Sequence, residues 1–424
     1  MSDATSPPRD AAAAPRRWRR RAAIAIALLL VLALSLRWLT RPEQALPLLL
    51  ARIGATLGLE IEAEGGDYAL RGTPRLVLRH VVARQPGEAP LLRAERIDLL
   101  VPWSTLRARG REPVVERIEI DGATLDVAAL QAWLDTRPES DGPMPTLTRG
   151  FAVRESRLLA EGWIVEQIEF DVPRFVPGAP LQARVGGRYV SDAVAATTAL
   201  QASLDRTGLP AAITLRGRVE VEGDDWRLPS TVALDGALHA ADDARPLRLE
   251  RARFGALAAY VDDATRVPFR IGLAGPLHWR DGVLWQRVDG AALRPGANVV
   301  PTLDARGAFA VGEQAVVDLR GTLAAWPDAW PALPPPIGTS RAPLPFALRY
   351  AGDYGFDAPL SLRLRRDDAT FDARFALPRM LAWIDAAGVS PLPPLDGTLR
   401  SPRLEVAGAV LEGVEIGLRD GPTP

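Results

Sequence analysis

Hydrophobic and polar residues alternate with a period of two in short stretches from Leu59 onward. In one stretch, for example, Val219 and Val221 alternate with Arg218 and Glu220. A strand with this pattern has one apolar and one polar face, as is typical of antiparallel sheets that keep one side in water. The pattern therefore predicts a mainly β protein built on antiparallel sheet.

The clearest of these strands share a row of apolar residues separated by single polar or small ones. Because the row lies on one side of each strand, it must be covered by another sheet, a helix layer or a ligand. The apolar positions are Ile118, Ile120, Ile168, Phe170, Val219, Val221, Phe269, Ile271, Leu273, Leu360, Leu362, Leu364, Phe371, Phe375, Val414 and Ile416.

Glycine-containing turn signals separate the predicted strands. Asp-Gly is a favoured pair in tight hairpin turns, because both residues tolerate a left-handed backbone. The predicted turns are residues 64–67, Asp121-Gly122, residues 222–224, Asp235-Gly236, Asp281-Gly282, Asp289-Gly290 and Asp396-Gly397.

Helical patterns are few and short. Residues 42–58 predict an amphipathic helix that ends at a glycine, and residues 103–109 predict one or two turns. Residues 126–135 predict a helix with Asp126 as its N-cap, and residues 378–387 predict another with proline in its first position.

An uncharged apolar run covers residues 22–36, and Trp38 and Leu39 extend it past Arg37. About 18 residues of this kind span a hydrocarbon core. Five arginines lie between residues 16 and 21, so the positive-inside rule predicts a single-pass anchor with a cytoplasmic N-terminus. A cleaved signal peptide is the alternative, with Ala33-Leu34-Ser35 as its cleavage site. We favour a retained anchor because the apolar character continues past that site.

Two proline-rich connections, residues 137–145 and 326–345, are the candidate boundaries within the body. They divide the chain into a disordered basic tail (1–21), the transmembrane helix (22–39), a membrane-proximal helix with an N-terminal β part (42–135), a central β-sheet (146–325) and a C-terminal β part with one short helix (346–421).

Composition excludes several classes of chemistry. All 51 basic residues are arginine and there is no cysteine, so lysine-dependent phosphate loops, Schiff bases, disulfides and thiolate sites are absent. The three histidines, His80, His239 and His278, lie too far apart in the sequence for ligand motifs. A net charge of −1 provides no electrostatic footprint for nucleic acid. We predict neither catalytic residues nor a metal or cofactor site.

Arg363, Arg365 and Arg366 are candidates for contact with lipid phosphates, with a solvated strand face as the simpler interpretation.

Several segments, in order, resemble the AsmA family of bacterial envelope proteins. After the basic N-terminus and the single anchor come the motifs GTPRLVLRHVV at residues 72–82, LLRAERIDLLVPWSTL at 91–106 and VVERIEIDGATLDV at 114–127. Residues 394–421 resemble the closing repeat of the family. The resemblance covers residues 15–135 and 377–421, and the chain is short for the family.

The resemblance implies a long, curved sheet folded into a groove that is apolar inside and polar outside. It implies an inner-membrane protein with a periplasmic body that binds or transfers phospholipid in support of outer-membrane lipid homeostasis or assembly, with an envelope protein as a further partner. The sixteen apolar positions are then the candidates for contact with lipid.

Three other interpretations compete with a lipid groove. A plain β-sandwich buries its two apolar faces against each other. A structural or accessory subunit of an envelope or type II secretion apparatus shares the anchor and a smaller sheet. A hydrolase on a β scaffold needs a nucleophile-and-base motif, and the sequence has none.

Overall fold

The structure is a computed structural model of the 424-residue chain. It describes residues 42–69, 71–107, 113–136, 144–239, 248–280, 282–330, 332–333, 335–385, 393–406 and 409–419. The predicted tail and membrane anchor lie outside these ranges. Among the helices that are described, none has the length and apolar character needed to cross a membrane.

The mainly β class predicted from the alternation is confirmed, because 63% of residues are in strands and 10% in helices. The helices are α1 (Pro42–Leu57), α2 (Trp103–Arg107), α3 (Val127–Asp135) and α4 (Leu377–Asp385), with one 3₁₀ turn at Ile337–Thr339. The strands are β1 (Glu60–Ala69), β2 (Arg75–Arg84), β3 (Pro90–Leu100), β4 (Val114–Val115), β5 (Arg117–Asp121), β6 (Thr124–Asp126), β7 (Thr146–Leu147), β8 (Phe151–Ala160), β9 (Trp163–Val172), β10 (Leu181–Ser191), β11 (Ala195–Leu204), β12 (Ala211–Glu222), β13 (Arg227–His239), β14 (Arg248–Val261), β15 (Arg266–Ala274), β16 (Leu277–Arg280), β17 (Val283–Pro295), β18 (Leu303–Val311), β19 (Ala315–Leu323), β20 (Leu344–Gly352), β21 (Leu360–Arg366), β22 (Ala369–Phe375), β23 (Asp396–Val406) and β24 (Ala409–Leu418).

One large curved sheet contains all of these strands except β4 and β7, which form a separate parallel pair. Along most of the sheet each strand pairs antiparallel with the next one in the chain, as predicted. β5 and β6 are two halves of one strand position, antiparallel to β3 and parallel to β8. The wholly antiparallel prediction is therefore corrected to a mixed sheet. A parallel pairing needs a long crossover, and α3 lies in the connection from β6 to β8.

The pairing register keeps the apolar rows of neighbouring strands on one side of the sheet, with small residues such as threonine and serine between them. Val219 lies opposite Thr198 on one side and Ser230 on the other, and Ile271 lies opposite Ala256 and Leu293. We call this side the apolar face and its opposite, which carries residues such as Arg218 and Arg270, the polar face. Period-two alternation within each strand and in-register pairing between strands together make the face continuous.

A line of irregular pairing crosses seven neighbouring strand positions at the N-terminal end of the sheet. His80, Glu155 and Gln167 have positive φ values of 49°, 50° and 53° there. Because each strand gains one residue, Leu78 and Val81 both pack on the apolar face although they are three residues apart. The residues of this bulge line are Glu64, His80, Glu95, Gly122, Glu155, Gln167 and Gly187.

Several of the predicted turns lie within strands or at bulges. Residues 223–224, directly after the end of β12 at Glu222, and Gly282 lie between consecutive strands, as predicted. Residues 64–67 and Asp396-Gly397 instead lie within strands β1 and β23, and Asp121-Gly122 lies at the bulge line. Asp235-Gly236 and Asp289-Gly290 lie within β13 and β17, where the register with the neighbouring strand shifts. A glycine with a small polar neighbour suits a bulge as well as a hairpin, so the local signal does not separate the two.

The predicted helices are found with small changes at their ends. α1 ends before Gly58, which has a positive φ of 61°. α3 has the predicted N-cap, because the Asp126 carboxylate accepts a 2.8 Å hydrogen bond from the Ala129 backbone N–H. α4 begins at Leu377, one residue before the predicted start, and the predicted end at residues 386–387 lies outside the described residues.

The sheet continues across both candidate domain boundaries. Leu323 at the end of β19 pairs with Leu344 at the start of β20, although residues 324–343 separate them in the chain. β6 pairs with β8 across the first proline-rich connection. The division of the body into three parts remains a prediction.

Candidate functional site: the apolar face of the sheet

Helix α1 covers the apolar face at its N-terminal end. Leu50 is buried against Leu78, Val81 and Ala94, and Leu46 packs at the edge of the same cluster. The indole N–H of Trp133 in α3 donates a 3.0 Å hydrogen bond to the carbonyl oxygen at the end of α1, so the two helices cover this end together. This part of the apolar face is a closed core.

A proline-rich segment covers the apolar face towards the other end, over β19–β23. We call residues 324–343, between β19 and β20, the strap. Ile337 of the strap has no exposed surface and packs in one cluster with Leu344 and Leu364, which are equally buried. Trp326 and Leu333 pack at the edge of that cluster. The sequence predicts only a connection here, whereas in the structure the strap covers part of the apolar face.

Arg366 binds the strap through hydrogen bonds to its backbone. It lies at the end of β21, is 6% exposed, and donates hydrogen bonds to the carbonyl oxygens of Ile337 (2.6 Å), Ser340 and Ala342 (2.7 Å). The sequence interpretation, which placed Arg366 with Arg363 and Arg365 on a solvated face, is therefore wrong for Arg366. Period-two counting from Leu360, Leu362 and Leu364 places residue 366 on the apolar face, so the signal was present in the sequence.

The middle of the apolar face is accessible to solvent. In β10–β13 the only described residues that are buried are Ala183 and Ala211. The larger side chains of this stretch are half-buried, although a closed sandwich would bury them at close-packed density. They are Val185, Leu200, Ile213, Leu215, Val219, Val221, Val232 and Leu234.

The register brings all sixteen predicted positions onto this one face. Leu360, Leu364 and Phe371 are buried, two of them in the cluster beneath the strap and Leu360 in the cluster beside it. Ile416 in β24 is exposed, and the other twelve are half-buried. The structure therefore divides the set into covered and accessible residues, and contact with lipid remains a prediction for both groups.

Charged side chains form ion pairs on the polar face. Asp98 is buried between Arg75 and Arg96 with both N–O distances at 2.8 Å, and its hydrogen bond raises the pKa of Arg75. Cross-strand pairs such as Arg294–Asp304 (2.6 Å) and Arg400–Glu415 (3.0 Å) recur along the sheet. Exposed pairs of this kind add little stability singly, so they mark the water-facing side of the sheet rather than hold it together.

Two concavities open on the polar face. The larger, about 1050 Å³, lies over β19–β24, and the smaller, about 730 Å³, lies over β11–β17. The sequence predicted neither, because a concavity depends on how the sheet curves. The apolar face is therefore distinguished by its exposure to solvent and not by either of these concavities.

No group of three or more His, Asp or Glu side chains that could hold a metal ion occurs in the described part of the chain. His80 Nδ1 lies 3.1 Å from Glu64 and His239 Nε2 lies 3.5 Å from Glu250, and all four side chains are at least one-third exposed.

Comparison of the chain with protein-family models, with curated proteins and with solved structures finds no match.

Proposed function

We propose that this chain is an inner-membrane-anchored, periplasmic protein of the AsmA type that binds phospholipid on the apolar face and lets acyl chains move along it. The observation that carries the proposal is the accessible middle of that face, between the end covered by α1 and the end covered by the strap. The ordered resemblance to the family and the predicted anchor at residues 22–39 support it.

The stretch between the two covered ends has the length of a lipid path. From β9 to β18 it has nine strand positions, which at about 4.8 Å spacing extend over about 40 Å. Half-buried apolar side chains recur along it, with Val288 and several alanines buried among them. An acyl chain placed against half-buried Val, Ile, Leu and Phe side chains gains about 0.8 kcal/mol for each CH₂ group removed from water. Since the apolar rows lie in register across the strands, an acyl chain meets apolar side chains at most successive positions, with small residues such as Thr198 and Ser230 between them.

The mechanism that follows is passive. Acyl chains slide along the apolar face while the headgroup stays at the water boundary, and no step needs a general acid, a nucleophile or a metal. The anchor keeps the body beside the membrane that supplies the lipid. The sheet then supports lipid homeostasis or assembly of the outer membrane by accommodating lipid between the two membranes.

Photo-crosslinking in the bacterial envelope tests the proposal on the full-length chain. A photoreactive phenylalanine analogue is placed at Val219 on the apolar face, or at neighbouring Arg218 on the polar face of the same strand. We expect a phospholipid adduct, detected by mass spectrometry, at Val219 and not at Arg218. A second apolar-face position, Ile271, should give the same adduct.

Covered positions provide the matched negative control. The analogue at Leu360, which is buried beside the strap cluster, should give little lipid adduct, provided that the variant folds. Equal lipid labelling of Val219 and Arg218, or none at Val219 and Ile271, would overturn the proposal. Recovery of secretion-apparatus subunits without lipid would instead favour an accessory subunit.

A further inference from the structure

The larger concavity on the polar face is rich in arginine. Its volume is about 1050 Å³, and Arg320, Arg349, Arg363, Arg365, Arg374 and Arg419 all line it. Two aspartates, Asp372 and Asp396, share the lining. Because the whole chain has a net charge of −1, this surplus of positive charge is a local feature. We call the site the arginine basin.

The strand register fixes how the arginines surround the basin. Arg320, Ala347 and Arg363 lie in one row across β19, β20 and β21. Arg349, Ser361 and Arg374 lie in the adjacent row across β20, β21 and β22. In each row the two arginines are two strands apart, about 10 Å, with a small residue between them. Ala347 and Ser361 therefore form a low floor that long guanidinium side chains enclose.

Carboxylates neutralise part of this charge but not all of it. Asp318 lies 3.1 Å from Arg349 and 3.8 Å from Arg320, and Asp372 pairs with Arg363. Arg374 lies directly opposite Asp396 across β22 and β23, whereas Arg365 lies opposite Thr370 and forms no ion pair among the described residues. The six arginines outnumber Asp318, Asp372 and Asp396, so positive charge remains beside a floor without side chains large enough to fill it.

We propose that the arginine basin binds a phosphate group. Guanidinium groups present planar, paired N–H donors that match phosphate oxygens bidentately, and arginine remains charged at every relevant pH. The basin lies on the opposite face of the sheet from the proposed acyl path, so it is a second, separate site. The phosphate comes either from a lipid headgroup at a membrane surface or from a soluble phosphate compound, and the chemistry of recognition is the same for both.

Calorimetric titration with inorganic pyrophosphate tests the site. The full-length chain is placed in nanodiscs of phosphatidylcholine, and wild type is compared with Arg374→Gln and with Arg320→Gln. We expect binding that weakens as salt increases and that falls at least tenfold in each variant. Arg216→Gln is the matched control, because Arg216 is an exposed arginine of the same face outside the basin. It should bind as wild type does.

Vesicle co-flotation separates the two sources of phosphate. The same nanodiscs are mixed with phosphatidylcholine vesicles that contain or lack phosphatidylglycerol. Basin-dependent co-flotation with the anionic vesicles assigns the site to headgroups, and pyrophosphate binding without co-flotation assigns it to a soluble compound. The inference is overturned if wild type binds neither probe, or if Arg374→Gln and Arg320→Gln bind as tightly as Arg216→Gln. Circular dichroism checks that each variant is folded.

Discussion

Arg366 Nη1 donates a 2.6 Å hydrogen bond to the carbonyl oxygen of Ile337, which joins the end of β21 to the strap. Ile337 itself has no exposed surface and packs in the cluster with Leu364. Burying a cation among backbone carbonyls costs free energy, because the charge loses its contact with water. Removing that cation is also strongly destabilising, because the buried carbonyls then have no hydrogen-bond donor. This one side chain therefore decides how firmly the strap covers the C-terminal end of the apolar face.

Removing the guanidinium should open the strap. In Arg366→Met three carbonyl oxygens lose their donor, at a cost of about 2–4 kcal/mol, so local opening becomes more frequent. Arg341 of the strap is highly exposed and provides a trypsin cleavage site. We expect cleavage after Arg341 to accelerate about 30-fold or more in limited proteolysis, since each 1.4 kcal/mol changes the open population about tenfold.

The neighbouring arginine is the control for that experiment. Arg365 is exposed and lies on the opposite face, so Arg365→Met should leave the rate of cleavage after Arg341 within about twofold of wild type. Equal acceleration in both variants would show that the strap responds to charge in general and not to the Arg366 contacts.

Leucine-to-alanine substitutions distinguish the covered from the accessible part of the apolar face. Leu364 is fully buried and Leu273 is half-buried. Leu364→Ala should lower the free energy of unfolding by about 2–5 kcal/mol, because it leaves a cavity. Leu273→Ala should cost about 1 kcal/mol, because solvent already reaches the site. The midpoint of urea unfolding measures both, and equal losses would argue that β15 is covered as β21 is.

Glu116 should contribute a pH-dependent part of the stability. The hydrogen bond from Arg149, at 3.0 Å, and a second from Thr73 lower the pKa of Glu116 below its usual 4.5. A carboxylate with a lowered folded-state pKa stabilises the fold above its unfolded-state pKa, and this is lost as pH falls through the folded-state pKa.

Glu116→Gln tests this dependence. The variant should be less stable than wild type by under about 1 kcal/mol at pH 7, since Arg149 is largely exposed. The difference should shrink steadily as the pH is lowered below 4.5 in urea-unfolding experiments. Glu161→Gln, in the exposed turn between β8 and β9, should show no such trend. A difference between wild type and Glu116→Gln that does not change with pH would contradict the assignment.

Substitution by glycine should change the free energy of unfolding in opposite directions at the bulge line and in a regular strand. Gln167 has a φ of 53°, a left-handed conformation that costs a non-glycine residue about 1 kcal/mol. Gln167→Gly should therefore raise the free energy of unfolding by about 0.5–1 kcal/mol. Gln201→Gly, in the regular strand β11, should lower it by a similar amount, because glycine loses more conformational entropy there. Destabilisation by both would mean that the bulge is not strained.

Local sequence patterns predicted most elements of this fold. Period-two alternation identified the apolar rows around Val219 and Ile271, and Asp126 marked the start of α3. The same patterns failed at Asp235-Gly236 and Asp289-Gly290, because a bulge depends on the register of the neighbouring strand, which the local sequence does not contain. The parallel pairing of β6 with β8 was missed for the same reason.

The candidate site shows a similar division. Alternation placed all sixteen apolar positions on one side of their strands, since side chains of a strand point to alternate faces. Only the curved, paired sheet joined those rows into one face, covered Leu364 with the strap and left the residues around Val219 accessible. The arginine basin also required the fold, because Arg320, Arg349 and Arg374 come from three strands and meet only through their register. The sequence by itself thus determined which side of each strand is apolar, and the tertiary structure decided which of those residues remain accessible, because cover comes from segments distant in the chain.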